Sequence, residues 1–152
     1  MSSRLFVWPL RIYYEDTDVS GVVYHANYLR FFERARTEWL RALGCSQERL
    51  RHDAQAAFTI TGLEVAFRQP ARLDDELEAT VAVIELRRAS LRFAQTLRDK
   101  ARPERVLATA LVRVACVDAL SFKPRALPDY FATVVVVATA ANPDSKERNK
   151  TA

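Results

Sequence analysis

Residues 13–39 read YYEDTDVSGVVYHANYLRFFERARTEW and decide the fold, because an acidic turn runs directly into an amphipathic helix. The Asp, Ser and Gly residues of the first part favour turns. In the second part, apolar residues recur at spacings of three and four and predict a helix over residues 27–43, ended by Gly44. The apolar stripe consists of Tyr28, Phe32, Ala35, Trp39 and Leu43, widened by Phe31 and Leu40. Because the stripe is wide, we expect protein to cover this helix on more than one side.

The rest of the chain alternates in the manner of β-strands. Leu10, Ile12 and Tyr14 alternate with Arg11 and Tyr13 and predict a first strand. Residues 45–55 are predicted to form a linker. Four strands follow between residues 58 and 117, with a β-bulge at Gly62, where the apolar parity changes.

This order of elements predicts an α+β fold, in which a five-stranded antiparallel sheet wraps around one long helix. Nothing in the sequence between residues 1 and 141 resembles a linker between two domains, so we expect a single domain there. Residues 142–152 are polar and contain a proline, and we expect them to form a disordered tail.

Composition and charge exclude several classes of protein. At 152 residues and 49% hydrophobic, the chain has the length for one domain with an apolar core. The net charge is +4, but cations and acids are interspersed, which argues against nucleic-acid binding. The two cysteines have no histidine nearby and predict reduced thiols and no metal site. No apolar run approaches the roughly 20 residues of a membrane helix, and no signal peptide is evident, so we expect a cytoplasmic protein.

The acidic turn also indicates chemistry on a carbonyl group. A carboxylate just before a helix can attack or activate water, while the free N–H groups of the first helical turn polarise the carbonyl oxygen. Asp16 and Asp18 are the candidate acids, and His25 is the one well-placed histidine. On spacing alone, the alternative is that one of these aspartates simply caps the helix.

Three segments carry a resemblance to a known family: YYEDTDVSGVVYHANYLRFFERARTEWL, PARLDDELE and CVDALSFKPRALP. They resemble the hotdog-fold acyl-CoA thioesterases of the 4-hydroxybenzoyl-CoA thioesterase family, in particular the Tol–Pal-associated branch. The resemblance implies a hotdog fold and hydrolysis of acyl-CoA to a free acid and CoA. It implies that Asp18 is the catalytic carboxylate, that Asp16 holds the loop, and that Tyr14 and His25 lie in the active-site neighbourhood.

The implied mechanism needs no metal and no cofactor, since coenzyme A is part of the substrate. Asp18 acts as nucleophile or as general base, and backbone N–H groups at the helix start polarise the thioester carbonyl. A glycine at position 21 would let the backbone approach the substrate, and cations at strand ends would bind the CoA phosphates. The predicted substrate-binding residues are Gly21, Val22, Tyr24, Asn27, Arg87, Arg88, Ser90, Lys123 and Arg125. Glu33 on the helix is the alternative catalytic acid, and otherwise a salt-bridge former.

The resemblance further implies a homodimer joined edge to edge, with active sites at the dimer interface, or a homotetramer of two such dimers. A function of a different class is a binding scaffold for acyl carrier protein or phospholipid-synthesis enzymes, with little turnover. A basic surface suits an acidic carrier protein. A third reading, a hotdog dehydratase, needs a set of histidine and acidic residues that is not evident in this sequence.

Overall fold

The computed structural model describes residues 5–137, so the predicted tail over residues 142–152 lies outside the described residues. A five-stranded antiparallel sheet has the strand order β1-β3-β4-β5-β2. Its strands are β1 (Phe6–Arg11), β2 (Ala56–Phe67), β3 (Glu76–Leu86), β4 (Ser90–Asp99) and β5 (Val106–Asp118). The helices are α1 (His25–Ala42), α2 (Gln47–Ala54) and α3 (Asp129–Val134). The predicted α+β hotdog architecture is confirmed.

Helix α1 forms the centre of the core. Five apolar residues of the predicted stripe and its widened edges are buried: Tyr28, Phe31, Phe32, Ala35 and Leu40. The buried residues opposite them alternate along β3, β4 and β5, as expected for one face of a sheet. They include Leu77, Ala79, Val81, Leu91, Phe93, Leu97, Ala110 and Val112. The apolar side chains of α1 and the inward-facing side chains of the strands therefore pack together in one core.

The ends of α1 lie close to the predicted ones. The helix begins at His25, two residues earlier than predicted, and ends at Ala42. Gly44 adopts a left-handed backbone conformation with φ of 83°, which a glycine adopts without steric penalty. The predicted stop at this glycine is confirmed.

Strand β2 lies at one edge of the sheet. It pairs with β5, and the pairing shifts between Ile60 and Gly62, so the predicted bulge is confirmed. Within residues 5–137, no strand pairs with the other edge of β2. Three apolar side chains of β2 are about half exposed: Ile60, Leu63 and Phe67. An unpaired apolar edge of this kind is a site for pairing with another strand.

Two predictions at the start of the chain and after α1 were wrong. The first strand ends at Arg11, because the chain turns into a 3-10 helix over Tyr14–Asp16. The predicted linker contains helix α2, whose first turn is capped by Ser46 Oγ accepting from Arg49 N at 3.0 Å. One buried side chain, Leu50, holds this helix on the core, and so short an apolar pattern was not recognised.

Helix α3 was also missed by the sequence analysis. Its Phe131 is fully buried and lies 5.5 Å from the Phe58 ring and 6.2 Å from the Trp39 ring, centroid to centroid. Six residues are too few to show a helical period, and packing against these rings stabilises the helix.

The two cysteines, Cys45 and Cys116, are both free and buried, in agreement with the prediction of reduced thiols. Burial raises the pKa of each thiol, because the thiolate loses hydration. No helix within residues 5–137 has the length and apolar character needed to cross a membrane.

Candidate active site

Asp18 lies in a tight turn that precedes α1. Asp18 N donates to Val22 O at 2.9 Å, and Gly21 N donates to Asp18 O at 3.0 Å. Gly21 has φ of 84°, a conformation that favours glycine. The space beside its Cα is open, with no atom within 4 Å of an added Cβ. The turn itself therefore explains this glycine, and its predicted approach to the substrate stays a prediction.

The Asp18 carboxylate is held by Ser20. Ser20 Oγ and Ser20 N both donate to Asp18 Oδ1, the second at 2.8 Å. These hydrogen bonds, the hydroxyl first, hold the pKa of Asp18 below its ordinary value, because they favour the charged form. The side chain is therefore an ionised carboxylate at neutral pH. Sequence reasoning treated Ser20 only as a turn residue, although an Asp-x-Ser pair is typical of a side chain bonded to its own turn.

Asp16 holds the loop against the helix. Its Oδ2 accepts a hydrogen bond from Tyr13 N at 2.8 Å. Its backbone oxygen accepts one from Tyr24 N at 3.1 Å and one from Asn27 Nδ2 at 2.9 Å. The Asn27 side chain thus joins the loop to α1, and its predicted contact with substrate stays a prediction.

The N-terminus of α1 lacks a side-chain cap. Tyr24 occupies the N-cap position with no side-chain hydrogen bond, so neither Asp16 nor Asp18 caps this helix. Within the described residues, the N–H groups of His25 and Ala26 have no hydrogen-bond acceptor. Such free N–H groups, at the positive end of a helix dipole, form an anion-binding site. The capping alternative is therefore excluded, and donors for a carbonyl oxygen are present.

Aromatic side chains surround the start of helix α1. The His25 ring is exposed and lies 4.6 Å from the Tyr24 ring and 6.3 Å from the Phe67 ring, centroid to centroid. Tyr14 is 83% exposed in the 3-10 turn, and within residues 5–137 its ring contacts no other ring and its hydroxyl forms no hydrogen bond. Val22 is half-buried, and its backbone bridges to Arg72 in the next loop.

The predicted phosphate-binding residues come together at the other end of the sheet. Leu127 N donates to Arg88 O at 2.8 Å, which joins the β3–β4 turn to the segment after β5. Arg87 and Arg88 are exposed in that turn beside Ser90, and Arg87 pairs with Glu85 at 3.0 Å. These contacts place the first part of the predicted cationic site on one surface.

Two further cations follow β5, and they differ. Lys123 is exposed, and its backbone oxygen accepts a hydrogen bond from Asp118 N at 2.8 Å. Arg125 is half-buried, and its guanidinium donates through Nη1 to Ala54 O at the end of α2. The Arg125 guanidinium therefore has a hydrogen-bond partner in the chain. The Lys123 ammonium group has none within residues 5–137.

The structure separates the two parts of the predicted site. Phe67, at the end of β2, lies beside the start of α1, whereas Ala56, at the start of β2, pairs with Asp118 at the end of β5. The two ends of β2 are roughly 36 Å apart along the strand, at about 3.3 Å per residue. Within one chain, the Asp18 loop and the cationic end therefore lie at opposite ends of the sheet.

Glu33, the alternative acid, is exposed on α1. It accepts a hydrogen bond from Thr37 Oγ1 at 3.2 Å. Among the described residues, no cation forms an ion pair with Glu33 within 4 Å, so the predicted salt bridge within the chain is absent. A salt bridge of Glu33 across an interface stays a prediction.

Comparison with known proteins identifies the family of this chain. Residues 13–135 match the family model of the thioesterase-like superfamily. Because the match covers most of the chain, this protein belongs to the thioesterase-like superfamily. The resemblance drawn from the sequence and the predicted class of enzyme, a thioesterase, are confirmed.

Several individual proteins are similar to this chain. The chain is 48% identical over 128 residues to the acyl-CoA thioester hydrolase YbgC of Escherichia coli O6:H1, covering 84% of this chain and 93% of that protein. It is 47% identical over 123 residues to the acyl-CoA thioesterase YbgC of Haemophilus influenzae, covering 81% and 88%. A probable thioesterase from Bartonella henselae has a similar structure, with a TM-score of 0.76 and 35% identity, covering 82% of this chain and 99% of that one.

Proposed function

We propose that this protein hydrolyses acyl-CoA thioesters to a free acid and CoA, with Asp18 as the nucleophile. The observation that carries the proposal is an ionised carboxylate in a tight turn, directly before a helix whose first N–H groups have no acceptor within residues 5–137. The names of the Escherichia coli and Haemophilus influenzae relatives support the substrate class.

The proposed reaction has two steps. An Asp18 carboxylate oxygen forms a bond to the thioester carbon, and the carbonyl oxygen takes up negative charge beside the N–H groups of His25 and Ala26. The C–S bond breaks, and CoA leaves as a thiolate that takes up a proton from solvent. Water then cleaves the mixed anhydride, which releases the acid and restores the carboxylate. CoA is part of the substrate, and the proposed steps use no cofactor and no metal.

The lowered pKa of Asp18 keeps the carboxylate ionised at neutral pH, which the proposed attack on the thioester carbon requires. The general base is the alternative role of the same carboxylate. We propose that the exposed rings of His25 and Tyr14 border the thioester, together with Tyr24, and that Val22 and Gly21 contact it through the backbone.

A single turnover in H₂¹⁸O, with enzyme in excess over acyl-CoA, tests the nucleophilic route. Attack of water on the Asp18 carbonyl carbon of the anhydride inserts one labelled oxygen into the Asp18 peptide, which mass spectrometry detects. Hydroxylamine present during turnover traps the same anhydride. An unlabelled peptide together with no trapped product contradicts the nucleophile and favours the general base. A panel of short, long and aromatic acyl-CoAs, none of them hydrolysed, contradicts the proposed function itself.

We also propose that the complete site requires a homodimer joined along β2. Two copies related by a two-fold axis at this edge run antiparallel, so the start of β2 in one copy lies beside the end of β2 in the other. The cationic end of one copy then lies near the Asp18 loop of the other. The free edge of β2 and its exposed side chains, Ile60, Leu63 and Phe67, support this arrangement.

Combining two variants, each with little turnover at low substrate concentration, tests the shared site. D18N chains lack the nucleophile, and chains with R87A and R88A lack phosphate contacts. In a hybrid dimer, one of the two sites combines an intact Asp18 with intact arginines, so coexpression restores turnover at low substrate concentration. No recovery in hybrids that purify as dimers contradicts a site shared between chains. A tetramer of two dimers, a cytoplasmic location and a link to the Tol–Pal system are proposals that rest on the resemblance.

The second candidate function, a scaffold that binds acyl carrier protein, is favoured by one observation. Arg87, Arg88 and Lys123 are exposed cations at one end of the sheet, a surface suited to an acidic protein. Titration with acyl carrier protein, followed by turnover measurements on acyl-CoA, distinguishes the two functions. Saturable binding without turnover of any acyl-CoA favours the scaffold.

A further inference from the structure

An apolar groove runs along α1 beside strand β2. One cleft of about 280 Å³ is bordered by Leu29 and Leu63, and a second of about 240 Å³ is bordered by Trp39 and Phe58. The two clefts adjoin, since they share the lining residues Glu33, Arg36 and Ile60. They therefore form one groove that follows the helix from its first turns towards its last.

The groove starts beside the candidate active site. The Phe67 ring lies 6.3 Å from the His25 ring and 5.2 Å from the Tyr28 ring, centroid to centroid. Leu63 follows on β2 and lines the first cleft. A chain attached to a carbonyl at the helix start therefore meets a path of apolar β2 side chains, Phe67 and then Leu63, which leads to the first cleft. From His25 to Arg36 this path covers ~16 Å, at 1.5 Å of helix rise per residue.

Three charged residues interrupt the apolar lining: Arg30, Glu33 and Arg36. The Glu33 carboxylate acts on the Arg36 charge from a distance beyond that of an ion pair. Arg36 is half-buried and donates from Nη1 to Gln95 Oε1 at 2.8 Å. Gln95 is fully buried, and its Nε2 donates to Phe32 O at 3.0 Å and to Thr80 O at 3.3 Å. Because the backbone acceptors hold the amide nitrogen, the amide oxygen is fixed towards Arg36. The guanidinium is thus held in place by the sheet.

The Arg36 guanidinium has N–H donors without an acceptor among the described residues. Arginine carries five N–H donors, and Arg36 uses one acceptor within the described residues, with no carboxylate within 4 Å. Burial lowers the pKa of Arg36, because the charged form loses hydration. A simple tie between helix and sheet does not require a charge, since a pair of apolar side chains fills such a space at lower cost. The free donors of Arg36 line the groove and suit an oxygen acceptor.

We propose that Arg36 is a specificity-determining residue that selects acyl groups with an oxygen acceptor at the end far from the thioester, a carboxylate most strongly. In the proposed homodimer the groove lies at the interface along β2, because Ile60 and Leu63 belong to both. The acyl chain lies in the groove beneath the partner copy, and its terminal oxygen accepts hydrogen bonds from the guanidinium. Planar forked donors match a carboxylate in two parallel hydrogen bonds. This inference rests on the proposed function, because it assigns the groove to the acyl group of the substrate.

Matched substrates test the proposal. CoA thioesters of linear acids are compared with mono-CoA thioesters of dicarboxylic acids and of terminal hydroxy acids, at equal carbon number over a series of lengths. We expect kcat/KM of the wild type to favour the carboxylate-ended chain at the length that reaches Arg36. In R36M, the ratio of carboxylate-ended to plain chain falls by about tenfold or more, while kcat/KM for the plain chain stays within about threefold. R36K recovers part of the preference, because it keeps the charge without the fork.

The control is R34M, an exposed arginine on the same helix, which should leave the preference unchanged. Equal loss for both kinds of chain in R36M overturns the proposal, as does a wild type that prefers the plain chain at every length. If R36M and E33Q both weaken dimer formation in sedimentation, Arg36 pairs with a second copy and the proposal is wrong. Failure of the proposed function is a separate result, namely no hydrolysis of any chain by the wild type.

Discussion

The two ends of the sheet hold their candidate functional groups in different ways. At the Asp18 end, most contacts join residues two to four positions apart, as between Ser20 and Asp18 or between Asp18 and Val22. At the Arg88 end, contacts join distant segments, as between Leu127 and Arg88. The candidate catalytic carboxylate is therefore positioned by one local motif, whereas the cationic surface is formed by segments that are distant in the chain. Changes at the first end should alter chemistry, and changes at the second should alter binding or stability.

The largest effect is expected for Asp18→Asn, at the Asp18 end of the sheet. A neutral amide keeps the size of the side chain and still accepts from Ser20, but it is neither nucleophile nor base. We expect kcat to fall by ~10²–10⁴ with the melting temperature nearly unchanged. Steady-state kinetics and thermal unfolding of the same preparation measure both quantities.

Asp16→Asn is the matched control for this change, because its side chain accepts one hydrogen bond from Tyr13 N and lies in the same loop. We expect it to lose far less turnover. If Asp18→Asn retains more than about a tenth of wild-type turnover while Glu33→Gln abolishes it, the helix acid carries the reaction.

A smaller effect at the same end is expected for Ser20→Ala. The Ser20 hydroxyl lowers the pKa of Asp18, so its removal raises that pKa, and the carboxylate is protonated at a higher pH. The acid limb of the kcat/KM profile should therefore move to higher pH, with a loss of up to about tenfold in the acid range around the ordinary pKa of an aspartate and no loss at neutral pH. The control is Ser46→Ala, which removes the cap of α2 and should lower the melting temperature but leave the profile in place. An unmoved acid limb in Ser20→Ala would show that Asp18 does not govern it.

At the Arg88 end of the sheet, Arg88→Ala should alter substrate binding, whereas Arg125→Ala should alter stability. Arg88 is exposed and free to bind phosphate, so its loss should raise KM for acyl-CoA by roughly tenfold, with kcat nearly intact. Arg125 donates to Ala54 O, so its loss should lower the melting temperature. A pantetheine thioester, which lacks the 3′-phosphate, should be hydrolysed equally by wild type and Arg88→Ala. Equal losses on both substrates would assign Arg88 a structural role.

The smallest effect is expected for Asn27→Ala, which removes the side-chain hydrogen bond that joins α1 to the acidic loop at Asp16 O. We expect a loss of about 1 kcal/mol in the free energy of unfolding and a few-fold loss of turnover, because the loop is less firmly held. Urea titration and steady-state kinetics measure these changes. A raised KM without loss of stability would instead support the predicted contact of Asn27 with substrate.

The sequence predicted those secondary-structure elements whose apolar pattern is long or depends on neighbouring residues. Helix α1 has eighteen residues and a wide apolar stripe, so its period was legible, and the bulge before Gly62 followed from a change of parity. Helices α2 and α3 have eight and six residues, with one buried side chain each, Leu50 and Phe131. Their stability depends on surfaces that the fold provides, so their own sequences carry little signal.

The candidate site divides along the same line. The motif around Asp18 indicated two candidate acids, Asp16 and Asp18, and the start of the helix, because turn and helix are adjacent in the chain. The choice of Asp18 came from the resemblance and stays a prediction. The resemblance suggested the cations, but it did not reveal that Arg125 bonds to Ala54 O, 71 residues away. The pair of half-buried Arg36 and buried Gln95 was missed, because 59 residues separate them and each looks like an ordinary polar residue of its own element.

The amino-acid sequence by itself determined the order of the strands and the long helix, the amphipathic pattern of that helix and the acidic turn before it, because these depend on contacts between near neighbours. Only the tertiary structure decided which end of the sheet each group occupies, which arginine is free and which is engaged, and which strand edge is left unpaired. The physical reason is that such properties belong to pairs of distant residues. Burial and hydrogen bonding between those residues exist only once the sheet has wrapped around the helix.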